Sequence, residues 1–569
     1  MPALPDQPRL KGISLPPSGW ALAVLLSLYI FTGLIGHDPW KHDDAVTIGI
    51  VFDMLSGNHW LVPHLAGQPY PDAPLYYWLA ALFAKLFSWL LPTHDAVRLA
   101  SGLCTLLALQ FILLAARELH GKEFSAVAPL ALAGSIGFLY HAHEAQPMLA
   151  ALTAHTAAYW ALVLWPRRQK LAAVTFAAAL AAAFLANGLL PILTLVPAVL
   201  ATLWFSENRS KDMGLMLSAI ALGAVLCAAW LLPLEISAPE HANTFLQREL
   251  SALSKPVHAT TNLLRYLNLL LWYAWPALPL AAWALWSKRR LLATRAILLP
   301  TLSFALVLLI LAFIIETRSA PALLLLPPLV LVAVPGVSSL RRGAANAFDW
   351  FGMMTFTVFA AVAWIVWNAM VFGWPERLAR QAVRLEPGFL GRFDLLTFAF
   401  ALVLTLIWFW LIFTSPRSKM RGIMHWMAGL TLFWILVAVL WMPWIDYGKT
   451  YRPLSADLAK TLPAKAGCIA NLNLPDSILA TLDYFNGIRT TPFSSEAGKQ
   501  CNWLLVQGEI RDPALLSSAG WYAYWEGKRP SDRRAGDKFH LYRRNSKNAK
   551  PLPEEIEIND ATEPAASPR

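Results

Sequence analysis

The feature that most restricts the fold of this chain is a series of long apolar runs separated by short polar loops. We count about thirteen runs close to the roughly 20 residues that a helix needs to cross a bilayer. They cover residues 20–36, 96–116, 124–140, 147–165, 171–186, 189–205, 213–234, 267–286, 296–315, 320–337, 348–372, 395–414 and 424–444. The strands of an outer-membrane barrel alternate in polarity instead of running continuously apolar. The sequence therefore predicts an all-α polytopic membrane protein with about thirteen transmembrane helices.

Composition supports this class. Of the 569 residues, 57% are hydrophobic and only 14% are charged. A soluble chain carries roughly 25% charged residues, so this chain has too little polar surface for a soluble enzyme or a disordered or fibrous protein.

The loops between the runs indicate the orientation of the chain. Lys and Arg concentrate in short loops that begin near Arg117, Arg167, Arg209, Lys288, Arg341 and Arg417. With thirteen spans, all these loops fall on the side of the N-terminus, and loops rich in Lys and Arg stay in the cytoplasm. The excess of 46 basic over 35 acidic residues thus indicates orientation and not nucleic-acid binding. This parity predicts a cytoplasmic segment 1–19, a membrane domain 20–445 and an external C-terminus.

One further apolar stretch, residues 75–91, must not be counted as a span. Counting it would place every later basic loop on the external side. The stretch is short, rich in Trp and Tyr, and contains Lys85, so we interpret it as a helix in the membrane interface. Residues 37–93 then form one large external loop with amphipathic helices near 45–56 and 75–91.

From residue 446 the composition becomes that of a soluble domain. The segments CIANLN and WLLVQG are typical of buried strands, FHLYRR of a half-exposed strand and SILATLDYF of a helix. This order predicts a small external α/β domain over 446–544. The polar, Pro-rich tail 545–569 is expected to be disordered.

The cysteines fit an external placement of this domain. Cys468 and Cys501 lie at the starts of two predicted strands, and neighbouring strands would bring them within reach of a disulfide. An oxidising periplasm favours the bond, although two unpaired thiols are the alternative. Cys104 and Cys227 lie inside spans and are expected to be free thiols.

Ionisable side chains at the edge of a membrane are candidates for function. On the external side they collect in the first, second, fourth and fifth loops: Lys41, Asp43, Asp44, His143, Glu144, Arg248, Arg265, Glu316 and Arg318. Turns this short, bounded by apolar spans, should bring the groups to one external cavity. Acids and cations at one membrane level suit a ligand with a phosphate and a polar head on an apolar tail.

Each candidate also has a structural interpretation. Asp43 and Asp44 would suit the N-terminus of the helix that follows, and Glu316 with Arg318 would suit a pair at the span ends. His141 and His143 would suit interfacial anchors, and the basic residues of the fourth loop would suit contacts with lipid headgroups. A divalent metal stays open as an alternative, but HAHE supplies no clear third ligand.

The region from Asp43 to Trp78, which includes DMLSGNHWLVPHLAGQPYPDAPLYYW, resembles one family. These are the GT-C membrane glycosyltransferases related to aminoarabinose lipid A transferase and protein O-mannosyltransferases. The resemblance implies a polyprenyl-phosphate sugar donor and transfer on the periplasmic face of the bacterial inner membrane. It implies that Asp43 is the catalytic position and that Asp44 matches the usual second acid.

The chain departs from the family pattern at several positions. Where the family has an acid-Lys-Pro triplet, this chain has Asp72-Ala73-Pro74, so a Lys that would contact the donor phosphate is absent. Gln146 replaces an Asp, and Asn187 replaces a Lys. The missing cation must then be supplied by a set of candidates led by Arg318: Arg318, Arg248, Arg265, His64 and Lys41. His143, Glu144, Asp72 and Glu316 are expected to line the cavity.

The resemblance and the external polar groups together predict an inverting glycosyltransferase. It would move an aminoarabinose-like sugar or a hexose from the lipid-linked donor to a lipid A, cell-envelope or protein acceptor. The alternatives are a lipid-linked sugar transporter or flippase, and an inactive assembly protein that has kept the fold. Transporters usually have internal repeats and charges at the bilayer midplane, and the sequence shows neither.

Overall fold

The computed structural model describes residues 19–254, 257–463, 466–511, 513–545 and 558–559. The predicted cytoplasmic segment and most of the predicted tail lie outside these residues. The α-helices are α1 Gly19–Phe31, α2 His42–Gly57, α3 Leu75–Phe87, α4 Thr93–His120, α5 Val127–Ala133, α6 Ile136–Ala142, α7 Pro147–Leu164, α8 Gln169–Asn187, α9 Leu189–Trp204, α10 Arg209–Ser237, α11 Pro239–Ser254, α12 Ala259–Tyr273, α13 Ala277–Ser287, α14 Arg295–Ile314, α15 Leu326–Ser339, α16 Arg342–Phe372, α17 Glu376–Leu385, α18 Leu395–Thr414, α19 Arg421–Leu436, α20 Met442–Lys449, α21 Arg452–Thr461, α22 Asp476–Asn486, α23 Glu496–Lys499 and α24 Pro513–Ser518. The strands are β1 His64–Leu65, β2 Gln68–Pro69, β3 Ile469–Leu472, β4 Thr491–Pro492, β5 Trp503–Gln507, β6 Glu509–Ile510, β7 Trp521–Gly527, β8 Phe539–Arg544 and β9 Ile558–Asn559.

The chain is a multi-pass membrane protein. Among the described residues, nine helical segments are long and apolar enough to cross a bilayer, and each matches a predicted span. The predicted span 267–286 is instead a pair, α12 and α13, that bends by 100°. The spans predicted at 20–36, 124–140 and 189–205 correspond to shorter or interrupted helices. In 124–140 the helix breaks at Gly134 and Ser135, between α5 and α6.

Several helix ends follow from local sequence. The side chain of Asn208 accepts a hydrogen bond from the Lys211 amide at 3.2 Å, which caps the start of α10. Asp394 caps α18 in the same way, through the Thr397 amide at 2.8 Å. At the other end of a helix, α16 stops at Gly373, whose φ of +76° is the left-handed conformation that favours glycine.

The basic loops meet at one end of the helical bundle. Arg167 donates to Glu118 at 2.6 Å, and Arg295 donates to the carbonyl of Leu162 at 2.7 Å. Lys419 reaches the carbonyl of Ser338 at 3.0 Å. Loops far apart in sequence thus share one end, as the parity of the spans predicts.

The large loop 37–93 lies at the opposite end. Its helix α3 has 13 residues and is about 20 Å long, too short for the roughly 30 Å hydrocarbon core. One face of α3 packs on α4 through Tyr76 and Ala80, while Leu82 and Leu86 stay exposed. The prediction for α2 was wrong, because this helix is not an amphipathic interfacial helix. Its residues from 44 to 51 are all buried, between the bundle and the C-terminal domain.

The C-terminal domain is a five-stranded sheet in the order β4-β3-β5-β8-β7. Strand β3 runs parallel to β4 and β5, whereas β8 runs antiparallel to β5 and β7. The strands predicted from CIANLN, WLLVQG and FHLYRR are β3, β5 and β8, and SILATLDYF forms most of α22. A disulfide joins Cys468 to Cys501, with Cα atoms 5.0 Å apart, and Cys104 and Cys227 are free. The helix α20 continues through the boundary predicted at 446.

Candidate functional site

Asp43 and Asp44, the acidic pair at the start of α2, lie in different environments. Both residues lie in the first turn of the helix, and a helix turns by about 100° per residue, so the two side chains diverge. Asp43 is exposed and makes no hydrogen bond or ion pair with the described residues, whereas Asp44 is 1% exposed. Neither acid is the N-cap, which is Lys41 without a side-chain capping bond.

Asp44 is held by a buried arginine. The Nε and Nη2 atoms of Arg98 donate to its two carboxylate oxygens at 2.9 and 2.6 Å, and the amide of Ala145 donates at 2.8 Å. Burial alone would raise the pKa of Asp44, but the charge and hydrogen bonds of Arg98 outweigh it and hold the pKa below its usual range. The expectation that both acids face a cavity is wrong for Asp44, because its oxygens are saturated inside the protein.

Two further carboxyl groups lie near Asp43. Burial is the main cause that raises the pKa of Asp72, from the large loop, and of Glu144, from the turn between α6 and α7, and the negative charge of Asp43 adds to both shifts. Three sequence segments therefore bring carboxyl groups to one place at the external end. Among the three, only Asp43 is exposed.

The Glu144 side of this cluster carries a cation. Lys41 forms an ion pair with Glu144, and its ammonium nitrogen lies 4.7 Å from the centroid of the Tyr140 ring. Burial raises the pKa of Glu144 to about 7, although Lys41 opposes the shift. The pair can therefore change its net charge near neutral pH.

The Asp72 side carries a second cation. Tyr77 donates a hydrogen bond to Asp72 at 2.6 Å, and Arg248 lies 3.8 Å from its other oxygen. Burial raises the pKa of Asp72 by more than these neighbours lower it. Arg248 also donates to the carbonyl of Pro71, and its guanidinium lies 5.7 Å from the centroid of the Tyr70 ring.

Ala73, at the position of the missing Lys, has apolar surroundings. It is fully buried and packs in an apolar group with Phe184, Trp230 and Phe245. A cationic side chain would not suit that apolar group. The cation beside this loop comes from α11 instead, as Arg248.

The residue after Arg248 fixes α11 to a second loop. Glu249 accepts a hydrogen bond from the Leu189 amide at 2.7 Å. The preceding Gly188 has a φ of +64°, and a Cβ built there would lie 1.9 Å from the Glu249 carboxylate. Only glycine fits this close approach. Helix α11 thus fastens the loop of Asp72 to the turn between α8 and α9.

The C-terminal domain packs against the large loop 37–93. Asp38 accepts from Thr450 at 2.7 Å and forms an ion pair with Arg452, and its amide donates to Asp446 at 2.9 Å. Further along the interface, His94 and Tyr484 share a hydrogen bond of 2.8 Å. These contacts join the start of the loop to the first residues of the domain.

The docking continues along α2. A Cβ at Gly49 would lie 2.6 Å from the Cβ of Ala480 on α22, so the two helices touch there. One turn later, the buried Asp53 accepts from the Gly67 amide at 2.5 Å and lies 3.8 Å from Arg489. The helix that carries Asp43 is therefore positioned in part by the C-terminal domain.

Several predicted site residues lie elsewhere or differ in exposure. His143 does not line an open cavity. It is buried, and its Nε2 lies 2.7 Å from the carbonyl of Tyr29, with its ring against Trp434. His64 lies in the short β1–β2 hairpin, where it stacks on His59 with centroids 3.9 Å apart. Both imidazoles make structural contacts in these positions.

Arg318, the first of the predicted phosphate-binding cations, lies in the loop between α14 and α15. Its loop is held by Asn262, which donates to the carbonyl of Ile315 at 2.7 Å, and this leaves Arg318 and Glu316 exposed. No ion pair joins Glu316 and Arg318 in the described structure. Arg265 on α12 is exposed as well and has no such partner there.

Metal binding has no support in the described part of the chain. There, no group of three or more His, Cys, Asp or Glu side chains is arranged to hold a metal ion. The HAHE segment separates its polar groups, because His143 points to α1 and Glu144 points to Lys41.

The residue that sequence reasoning missed is Arg98. It was counted as the first part of an apolar run, although a buried cation near the end of a span needs a carboxylate partner. The energetic cost of burying an unpaired arginine could have indicated the pair of Arg98 with Asp44. The candidate site thus contains one free carboxylate, two shielded carboxyl groups and two cations at the external end of the bundle.

Comparisons with known proteins agree with this architecture. A family model described as dolichyl-phosphate-mannose-protein mannosyltransferase matches residues 70–232. An undecaprenyl phosphate-alpha-4-amino-4-deoxy-L-arabinose arabinosyl transferase from Edwardsiella ictaluri is 37% identical over 116 residues, 20% of each chain. A second transferase of that name, from Pseudomonas fluorescens, is 27% identical over 272 residues, 42% of this chain and 45% of the relative. The matches thus span less than half the length of either relative.

Solved structures match over nearly the whole chain. The crystal structure of ArnT from Cupriavidus metallidurans bound to undecaprenyl phosphate gives a TM-score of 0.67 at 15% identity, covering 94% of this chain and 99% of that one. The apo form gives a TM-score of 0.65 at 16% identity, with the same coverage. The chain therefore has the ArnT fold, and the resemblance to the GT-C transferases is confirmed.

Proposed function

We propose that this protein is an inverting glycosyltransferase that moves a sugar from a polyprenyl-phosphate donor to an acceptor at the external face of the membrane. The observation that carries the proposal is the exposed carboxylate of Asp43, which has no partner in the described structure and lies near two shielded carboxyl groups. The named relatives support this class, since they are arabinosyl transferases and one ArnT structure holds undecaprenyl phosphate.

In this proposal Asp43 acts on the acceptor. Its carboxylate accepts the proton of an acceptor hydroxyl while the hydroxyl oxygen attacks the anomeric carbon of the sugar. The bond from that carbon to the phosphate oxygen breaks, and polyprenyl phosphate leaves with the bonding electrons. Attack from the face opposite the leaving group inverts the anomeric centre. If the acceptor oxygen belongs to a phosphate, no proton is transferred and Asp43 orients the acceptor.

Asp44 has a different role in the proposal. Its oxygens are occupied by Arg98 and the Ala145 amide, so it cannot take a substrate proton without losing these bonds. We assign Asp44 and Arg98 to positioning: together they fix the first turn of α2 against α4 and the turn before α7.

The donor phosphate needs a cation, and Arg248 is the one we assign. It lies beside Asp72, next to the position of the absent Lys, and its fork geometry suits a phosphate. Lys41 supplies a second charge on the Glu144 side. Arg318 and Arg265 are exposed on the same end of the bundle and are secondary candidates.

Location follows from the positive-inside parity. We assign the end with the basic loops to the cytoplasm, and Asp43 and the C-terminal domain to the periplasmic side of the inner membrane. Reporter fusions after Arg168, Arg290 and Arg342 should then be cytoplasmic, whereas fusions near Thr93 and within the C-terminal domain should be periplasmic. A cytoplasmic reading near Thr93 would contradict the assignment.

A transfer assay tests the activity. Purified full-length protein in vesicles would receive radiolabelled polyprenyl-phosphate sugars, both aminoarabinose and hexose, with lipid A or a membrane extract as acceptor. Asp43→Asn should abolish transfer, because the amide cannot accept the proton and the volume is unchanged. Glu240→Gln, which neutralises an exposed acid on α11, is the matched control and should keep full turnover. Near-wild-type transfer by Asp43→Asn would refute Asp43, and no transfer by wild type with any donor would refute the activity.

A further inference from the structure

A short helix at the external end has no role in the proposed reaction. Helix α17 connects α16 to α18 and lies at the end of the bundle opposite the basic loops, since α16 begins with Arg342. Arg533 of the C-terminal domain donates to the carbonyls of Arg384 and Leu385 at the last turn of α17. Tyr447 of α20 donates to the carbonyl of Pro387 at 3.1 Å, just after it.

The sequence of α17 separates charge from apolar surface. Its sequence is ERLARQAVRL. Arg377, Arg380 and Arg384 follow one another at helical spacing and share one face. The other side of the helix carries the apolar residues Leu378, Ala379, Ala382, Val383 and Leu385.

Both faces of α17 are at least partly exposed. No residue of α17 is buried, and both Leu378 and Leu385 are 40% exposed. The segments on either side continue the apolar surface, since Trp374 is 70% exposed and Leu390 is 80% exposed. Water is a poor environment for a contiguous patch of this kind. A bilayer interface suits it, and Trp is enriched at that depth.

The arginine face is also largely free. The contact of Arg380 with Glu376, at 3.8 Å, is exposed at both ends and weak. No ion pair is formed by Arg377 or Arg384 with any residue that the structure describes. A row of guanidinium groups beside an apolar face is complementary to phosphate groups on a hydrocarbon layer.

We propose that α17 lies flat in the leaflet on the side of Asp43 and binds the phosphates of anionic phospholipids. The apolar face enters the acyl boundary, and the three arginines contact headgroup phosphates. This inference rests on the amphipathic surface and its exposure, and it does not depend on the transferase activity.

Lipid retention tests the charge complementarity. Full-length protein would be purified from vesicles of equal phosphatidylglycerol and phosphatidylethanolamine, and the retained lipid would be quantified by mass spectrometry. Wild type should retain phosphatidylglycerol preferentially, and the triple variant Arg377→Gln, Arg380→Gln, Arg384→Gln should lose at least half of that excess. The control Lys449→Gln, Lys460→Gln, Lys528→Gln removes as much charge from α20 and the C-terminal domain and should change little. Equal retention by both variants and wild type would overturn the proposal.

A depth measurement tests the placement separately. Nitroxide labels would be placed at Leu378→Cys or Arg380→Cys, with Cys104 and Cys227 replaced by Ala, in phosphatidylglycerol vesicles. The label at 378 should collide more with oxygen, which concentrates in the bilayer, and the label at 380 more with a water-soluble nickel complex. Two labels that both favour nickel would overturn the membrane placement. Spin–spin coupling between two copies at 378 would also overturn it, because a second protomer would then cover the face.

Discussion

The first turn of α2 has an inward face and an outward face that share a backbone and differ in almost everything else. On the inward face, Asp44 is buried and bonded to Arg98. On the outward face, Asp43 is exposed and unbonded within the described structure. The difference shows that two adjacent acids in a sequence need not share a role, because the pitch of the helix sends them to different environments. One acid organises the site, and the other is free for chemistry.

The first prediction concerns stability, where the two acids should differ most. Asp44→Asn or Arg98→Gln leaves one charge buried without its partner, which costs about 3–5 kcal/mol in comparable buried pairs. Asp43→Asn should change the unfolding free energy by less than about 0.5 kcal/mol, as expected for an exposed site. Titration with SDS in mixed micelles would measure the unfolding free energies. If Asp43→Asn and Asp44→Asn destabilise equally, the two faces are not distinct.

The second prediction extends the inward face along α2 to the C-terminal domain. Gly49→Ala adds a methyl group 2.6 Å from the Cβ of Ala480, and this overpacking should destabilise the protein by about 1–3 kcal/mol. Gly214→Ala, in the second turn of α10 with no atom within 4 Å, is the matched control and should be neutral or stabilising by up to about 1 kcal/mol. The same titration would compare them. A stable Gly49→Ala would mean that the domain is not held tightly against α2.

The third prediction concerns a cation near the outward face. Arg248→Gln should raise the KM for the polyprenyl-phosphate donor about five- to tenfold, which corresponds to about 1 kcal/mol, the scale of one hydrogen bond at a partly exposed site. Loss of its contacts with Pro71 and Asp72 should destabilise the fold by no more than about 1 kcal/mol, because Arg248 is 46% exposed. Arg265→Gln and Arg318→Gln are charge-matched controls. If the KM for the donor rises more in Arg318→Gln than in Arg248→Gln, Arg318 and not Arg248 binds the donor phosphate.

The smallest predicted effect depends on pH. The pKa of Glu144 is about 7, so below pH 7 its proton neutralises the carboxylate and leaves Lys41 with a net positive charge. Affinity for the anionic donor should therefore increase about two- to fivefold as pH falls from 8 to 6, the scale of one weak ion pair. Glu144→Gln should remove this pH dependence and fix the higher affinity. A KM that varies with pH in Glu144→Gln as it does in wild type would exclude Glu144 as the source.

The sequence predicts the parts of this molecule that depend on local composition. Within the described residues, long apolar runs are sufficient to locate nine spans, short apolar runs locate the buried strands β3 and β5, and alternation locates β8. The interruption of the run 124–140 was missed, because Gly134 and Ser135 look harmless within an apolar stretch. Only the packed structure shows that the helix breaks there.

Only the acidic pair of the candidate site was predictable from the sequence. The resemblance to the transferases predicts Asp43 and Asp44 as candidates, but their different environments depend on Arg98, which lies 54 residues from Asp44 and is invisible to a local pattern. The burial of α2 could not be predicted either, because the surface that covers it, α22, is more than 400 residues away in sequence. The exposure of Arg318 depends on a loop that Asn262 holds in a conformation that spacing does not encode.

The contact between Gly49 and Ala480 has a consequence for how the protein is made. The helix that carries Asp43 is synthesised near the beginning of the chain, and the surface that completes its packing follows about 430 residues later. At about 5–20 residues per second, a ribosome needs roughly 20–90 seconds to cover that interval. During this time α2 lacks the partner that completes its packing, and its buried face is open to water, lipid or a chaperone. A nascent chain that stops before α22 should therefore contain Asp43 on a helix that is not yet positioned, and we expect it to be inactive.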